Sequence, residues 1–155
     1  MTLDRNTLVL LAAGGSAALL IGAFIFQALG YAPCQLCLWQ RYPHAAAVAI
    51  GALALWRPGA ALPLLGALAA LSTAALGIYH SGIERKWWEG FTSCTSSGVE
   101  GLSADELMQQ ILEAPLVRCD EIAWQMFGIT MPNLNAAFSL ALAVLWVMAA
   151  RRSRG

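Results

Sequence analysis

Four cysteines are the residues best equipped for chemistry in this 155-residue chain. Two form a close pair, Cys34-Gln35-Leu36-Cys37, and two a wide one, Cys94 and Cys119, 25 positions apart. A purely structural role is a natural reading of the wide pair. It fits the close pair poorly. A two-residue spacer closes so small a ring that cross-linking removes little entropy from the unfolded chain. A pair that opens and closes is the better use of that spacing, and a CxxC setting can keep one sulfur as the nucleophilic thiolate. Zinc is the competing use of four cysteines, but its usual sign is two close pairs. We therefore expect no metal.

The neighbours of the close pair support redox work. Arg41 stands four residues beyond Cys37, and His44 three beyond that, so in a helix the three share a face. A thiolate near the start of that helix also feels the positive end of its dipole. Pro43 complicates the geometry, since proline suits a first turn and disturbs a helix interior. If the regular helix starts only near Tyr42, the shared face is approximate. Arg41 also reads as an interface anchor among Tyr31, Trp39 and Tyr42.

The elements that must hold these residues are apolar. The chain is 59% hydrophobic and 12% charged, against about 25% charged in ordinary soluble domains. With no net charge, it gives no support to a nucleic-acid partner. Four apolar stretches predict a single domain over 1–155, an all-α bundle of four membrane spans near 8–29, 42–56, 60–80 and 133–150. The second stretch is short and spans only if Arg41 and Arg57 lie near the two interfaces. The first could also be a signal peptide, but its apolar run is long and its start, Met1 to Arg5, lacks net positive charge. Arg5, Arg57, Arg151, Arg152 and Arg154 fall at one end, which the positive-inside rule puts in the cytoplasm. The connections 30–41 and 81–131 then lie outside, with all four cysteines, where disulfides persist. The longer one holds eight acidic and three basic residues. Within it Ser103 to Glu106 reads as a capping box opening an amphipathic helix, and a second short helix is expected from Asp120 through Phe127.

Together these residues resemble the bacterial disulfide bond formation protein B (DsbB) family over nearly the whole chain. The likeness rests on Cys34-Gln35-Leu36-Cys37-Leu38-Trp39-Gln40-Arg41 after the first span, and on Arg118-Cys119-Asp120 followed by an aromatic segment and Met131-Pro132. It implies a multi-pass inner-membrane oxidoreductase that reoxidises a periplasmic, thioredoxin-fold dithiol oxidase (DsbA-like). Cys94 would form the mixed disulfide with that partner, the pair Cys94/Cys119 would be reoxidised by Cys34/Cys37, and a membrane quinone, ubiquinone or menaquinone, would take the electrons. By the same resemblance Cys37 stands nearest the quinone, Cys34 faces the loop cysteines, and Arg41, His80 and Met131 line the quinone pocket. His80 and Met131 also read as an interface residue and as helix packing. Thiol exchange conserves the number of disulfides, so net production needs an outside oxidant. Two other classes remain open at this stage. A quinone-linked reductase of the vitamin K epoxide reductase kind would carry its CxxC late in the bundle. A non-enzymatic membrane protein with two structural disulfides would tolerate Cys37→Ser.

Overall fold

The computed structural model describes residues 3–91, 103–113 and 117–153. Four long helices are α1 (Arg5–Ala28), α2 (Gln35–Trp56), α3 (Ala61–Glu84) and α5 (Met131–Arg152); a short α4 (Ala104–Glu113) and a two-residue ladder, β1 (Gln125–Met126) with β2 (Ile129–Thr130), lie in the long connection. The helices form a four-cornered bundle. α1 and α3 each pack on α2 and α5 and face each other across the diagonal. Helices α1, α3 and α5 are long and apolar enough to cross a membrane. α2 is of similar length but carries Gln35, Gln40, Arg41 and His44 in its first half, and is correspondingly less apolar. Leucines and phenylalanines such as Leu10, Phe24, Leu68 and Phe138 stay exposed on the bundle's outside, the surface a lipid phase would cover.

Small residues let the helices close on one large side chain. Trp146 of α5 is fully buried, and a Cβ at Gly66 of α3 would stand 2.5 Å from its ring. The end of the bundle away from the cysteines is stitched by Arg5. Its Nε donates to Ser153 Oγ at 2.8 Å, and Nη2 donates to Arg57 O at 3.0 Å. The start of α1, the α2–α3 turn and the end of α5 therefore meet, as the distribution of arginines requires.

At the other end, turn chemistry delivers the close cysteine pair. Helix α1 closes with Gly30 at φ 100, Gly30 N–H bonding to Gln27 O and Tyr31 N–H to Phe26 O, each at 3.1 Å. This paired closure uses a left-handed residue, which glycine adopts without a Cβ clash. The chain then runs extended through Pro33 into Cys34, the N-cap of α2.

Two expectations change. The regular helix α2 begins at Gln35 and continues through Pro43, so the face shared by Cys37, Arg41 and His44 is continuous. The helix expected from Asp120 is absent. Phe127 and Gly128 both have positive φ, 51° and 78°, and make a tight hairpin turn of the kind that suits twisted strands. The apolar residues there follow the hairpin and not a helical face. By contrast α4 falls where a helix was expected, with Met108 and Leu112 exposed.

Candidate functional site

The site is built on the first turns of α2. Cys34 accepts from the backbone N–H of Cys37 at 3.3 Å and its thiol faces Cys37 Sγ at 3.0 Å. A hydrogen bond with Cys119, then one with Cys37, then burial, push the Cys34 thiol well above its ordinary range. The contact with Cys34 holds Cys37 below it, against the opposing effect of burial. Both sulfurs lie ahead of the apolar stretch of α2. The pair is thus polarised, with the proton favoured on Cys34 and negative charge favoured on Cys37.

Cys34 and Cys37 share one buried cluster, and Cys37 packs on it from a partly buried position. Cys34 is 4% exposed and Cys119 fully buried, and both belong to a cluster with Leu36, Ile83, Tyr79, Phe91 and Val117. Phe91 stacks on Trp39 with ring centres 5.1 Å apart. Cys119 is set into this cluster by a chain segment fixed through Arg118, whose guanidinium donates to Asp120 at 2.6 Å and 2.9 Å. That pairing holds the Asp120 carboxyl below the usual carboxylate range. Cys94 lies outside the described residues.

Cys37 also borders a cavity of about 260 Å³ between α1, α2, the start of α5 and residues 123–124. Its walls are mostly apolar, with Phe26, Trp124 and Phe138 among them, and its polar groups are few: Gln40, Arg41, His44 and Asn135. Small-molecule sites have this make-up. Arg41 Nη1 donates to Gln27 Oε1 at 2.7 Å, Nη2 to Ala23 O at 3.3 Å, and the guanidinium lies 4.7 Å from the centre of the Phe24 ring. Its Nε is buried without a partner among the described residues. Met131, in the first turn of α5, lines the cavity too.

His80 does not line this cavity. It projects from α3, which contributes no wall to it, and it borders a smaller space together with Cys34, Cys37, Glu84 and Met131. Its Nε2 stands 3.6 Å from Cys34 Sγ, and its ring also meets the backbone of Cys119. The other nitrogen, Nδ1, is 3.1 Å from Gln40 Nε2. That amide nitrogen also donates to the carbonyl of Leu36 at 3.1 Å. A carbonyl can only accept, so Gln40 presents its NH₂ group to His80, and His80 Nδ1 is the acceptor. The neutral ring then carries its proton on Nε2, pointed at Cys34.

Gln40 and Asn135 were not singled out by sequence. Asn135 Nδ2 donates to Gln40 Oε1 at 2.7 Å and to Thr73 Oγ1 at 3.1 Å, and Asn135 Oδ1 is 2.8 Å from His44 Nε2. Polar residues inside apolar helices mark functional positions by default, and that signal was present in Gln40 and in Asn133 and Asn135. Ligand atoms of Cys34, Cys37 and His80 lie within 4.8 Å of one another. Among the described residues they make a geometric possibility for an ion.

A polarised dithiol at the head of an apolar helical bundle, wedged between a buried third cysteine and an apolar cavity, defines a membrane-type thiol oxidoreductase. Comparison with known proteins agrees. The family model described as disulfide bond formation protein DsbB matches residues 5–149, and the chain belongs to that family. Relatives include disulfide bond formation protein B 2 of Pseudomonas syringae, 30% identical over 94% of this chain and 88% of that one. Its counterpart of the same name in Pseudomonas aeruginosa is 30% identical over 93% of this chain and 88% of its own. An uncharacterized protein of Rickettsia prowazekii is 28% identical over 80% of this chain and 73% of its own. No solved structure matches.

Proposed function

We propose that this chain is a dithiol:quinone oxidoreductase that reoxidises a periplasmic, thioredoxin-fold disulfide donor. It crosses the bacterial inner membrane four times, with the arginine-rich end in the cytoplasm and the cysteines outside. A thiolate of the reduced partner attacks the Cys94–Cys119 disulfide at Cys94 and releases Cys119; the partner's second thiol then resolves the mixed disulfide and releases Cys94, leaving the partner oxidised and the loop pair reduced. The loop pair then reduces the Cys34–Cys37 disulfide through Cys34, the sulfur in contact with Cys119. The observation that carries this reading is the placement of the close pair, with Cys34 hydrogen-bonded to the third cysteine and Cys37 at the wall of the apolar cavity.

The cavity residues fit a quinone head group. The walls are apolar, and Arg41, which lines the cavity, has a buried donor, Nε, with no partner among the described residues. A bound quinone, ubiquinone or menaquinone, supplies the two-electron oxidation that thiol exchange cannot. Cys37 is presented as thiolate by the Cys34 thiol and by the backbone at the start of α2. Arg41 offers fixed positive charge at the same wall, and Met131 and Trp124 add to the lining. Cys34 keeps its proton until the disulfide closes.

The test is anaerobic. Purified protein, a reduced thioredoxin-fold partner and a water-soluble quinone are mixed, and quinone absorbance is followed. Reduction that needs all three components, and that Cys37→Ser abolishes, is expected. Intact folded protein that reduces no quinone refutes the proposal.

A further inference from the structure

The amide network that orients His80 extends to a second histidine. Leu36 O fixes Gln40 with its NH₂ toward His80, so Oε1 faces Asn135 and must accept from Asn135 Nδ2. The carbonyl of Thr73, 3.2 Å from the same Nδ2, fixes Asn135 the same way independently. Asn135 therefore turns Oδ1 toward His44, and His44 Nε2 must be the N–H donor of that 2.8 Å bond. Each step follows from which atoms can donate. Neutral His44 is left with a bare lone pair on Nδ1. This ring is 4% exposed, its Nδ1 is buried without a partner among the described residues, and it borders the apolar cavity. An unpartnered buried acceptor is costly unless something completes it.

Resting on the quinone reading above, we infer that His44 is a specificity-determining contact for the reduced ring. Its Nδ1 accepts a hydrogen bond from a ring hydroxyl, a group the quinol has and the quinone lacks. A ring carbonyl can only accept, and so finds no donor at this atom while His44 is neutral. One neutral hydrogen bond separates the two ligands, which corresponds to about 3–10-fold tighter binding of the quinol. Preferential binding of the reduced form raises the potential of the bound couple, by about 15–30 mV for that range and two electrons. The contact thus draws electrons from the dithiol, and it is separate from the sulfur chemistry at Cys37, seven residues earlier on the same helix face.

Binding tests this directly. Protein with the Cys34–Cys37 disulfide closed is titrated anaerobically with a short-chain benzoquinone and, separately, with its hydroquinone, following tryptophan quenching from Trp124 in the cavity wall. The hydroquinone is expected to bind about 3–10-fold tighter, and His44→Phe is expected to remove that preference. The ¹⁵N resonance of His44 Nδ1 in the unaltered protein is expected to move on adding hydroquinone, a readout that does not depend on the variant. Binding of both probes with no preference in the wild type, or with an unmoved His44 resonance, overturns this inference and leaves the quinone site standing. Failure of both probes to bind overturns both.

Discussion

Gln40 is the residue whose replacement examines the network most sharply. Leucine in its place removes three side-chain hydrogen bonds, to Leu36 O, to His80 Nδ1 and from Asn135 Nδ2. Side-chain bonds inside membrane proteins average about 0.6 kcal/mol each, so Gln40→Leu costs about 2 kcal/mol. Asn135 keeps its bonds to Thr73, which limits the loss on that side. Glutamate preserves volume but, when ionised, cannot donate to either Leu36 O or His80 Nδ1. Gln40→Glu therefore pushes the proton of His80 to Nδ1 and removes the donor aimed at Cys34. Thermal unfolding in detergent measures the first effect. The ¹⁵N shifts of the His80 ring measure the second, because protonated and bare imidazole nitrogens resonate far apart. A wild-type His80 carrying its proton on Nδ1, or a Gln40→Leu protein as stable as the wild type, would refute the reasoning about this network.

Other positions give equally direct expectations. Gly66→Leu drives a side chain into the buried Trp146 ring, and should cost about 1–3 kcal/mol in detergent unfolding. Lys86 sits at φ 58 in the closing turn of α3; Lys86→Gly relieves left-handed strain and should stabilise by about 1 kcal/mol, seen as a raised Tm. The Asp120 carboxyl is held low by Arg118, so the pair's contribution is complete above the unfolded carboxylate value, near about 4, and disappears as pH falls through the depressed value. Its size is that of a surface pair, about 0.2–1 kcal/mol. Asp120→Asn should lose it at neutral pH and differ less from wild type in unfolding midpoint as the solution is acidified.

Much of the architecture was legible because it depends on local pattern. Apolar runs bounded by arginines marked the long helices, and the spacing of Cys34 and Cys37 marked the chemistry. Two kinds of feature were not legible. One is local conformation that defies type preference. Phe127 with positive φ turned an expected helix into a hairpin, and α2 absorbed Pro43 in its interior. The other is register between helices. The rotation of α3 aims His80 at Cys34 and Gln40, in a space that shares Cys37, Trp124 and Met131 with the larger cavity. The bond from Asn135 to Gln40 joins residues 95 apart, and nothing in either segment alone announces it. The bundle itself brings Arg5, Arg57 and Ser153 together at one end.

The burial of Cys34 and Cys119 bears on selectivity against dissolved thiols. Glutathione and its kin act at the concentration they have in solution, and only on sulfurs they can touch. Two sulfurs held in contact react instead at an effective concentration, which reaches about 10⁵ M or more in well-oriented systems. With Cys34 at 4% exposure and Cys119 at 0%, a millimolar competitor is handicapped twice, by access and by proximity. In the proposed relay this step needs no separate gate, because the packing around these two sulfurs already favours their exchange with each other.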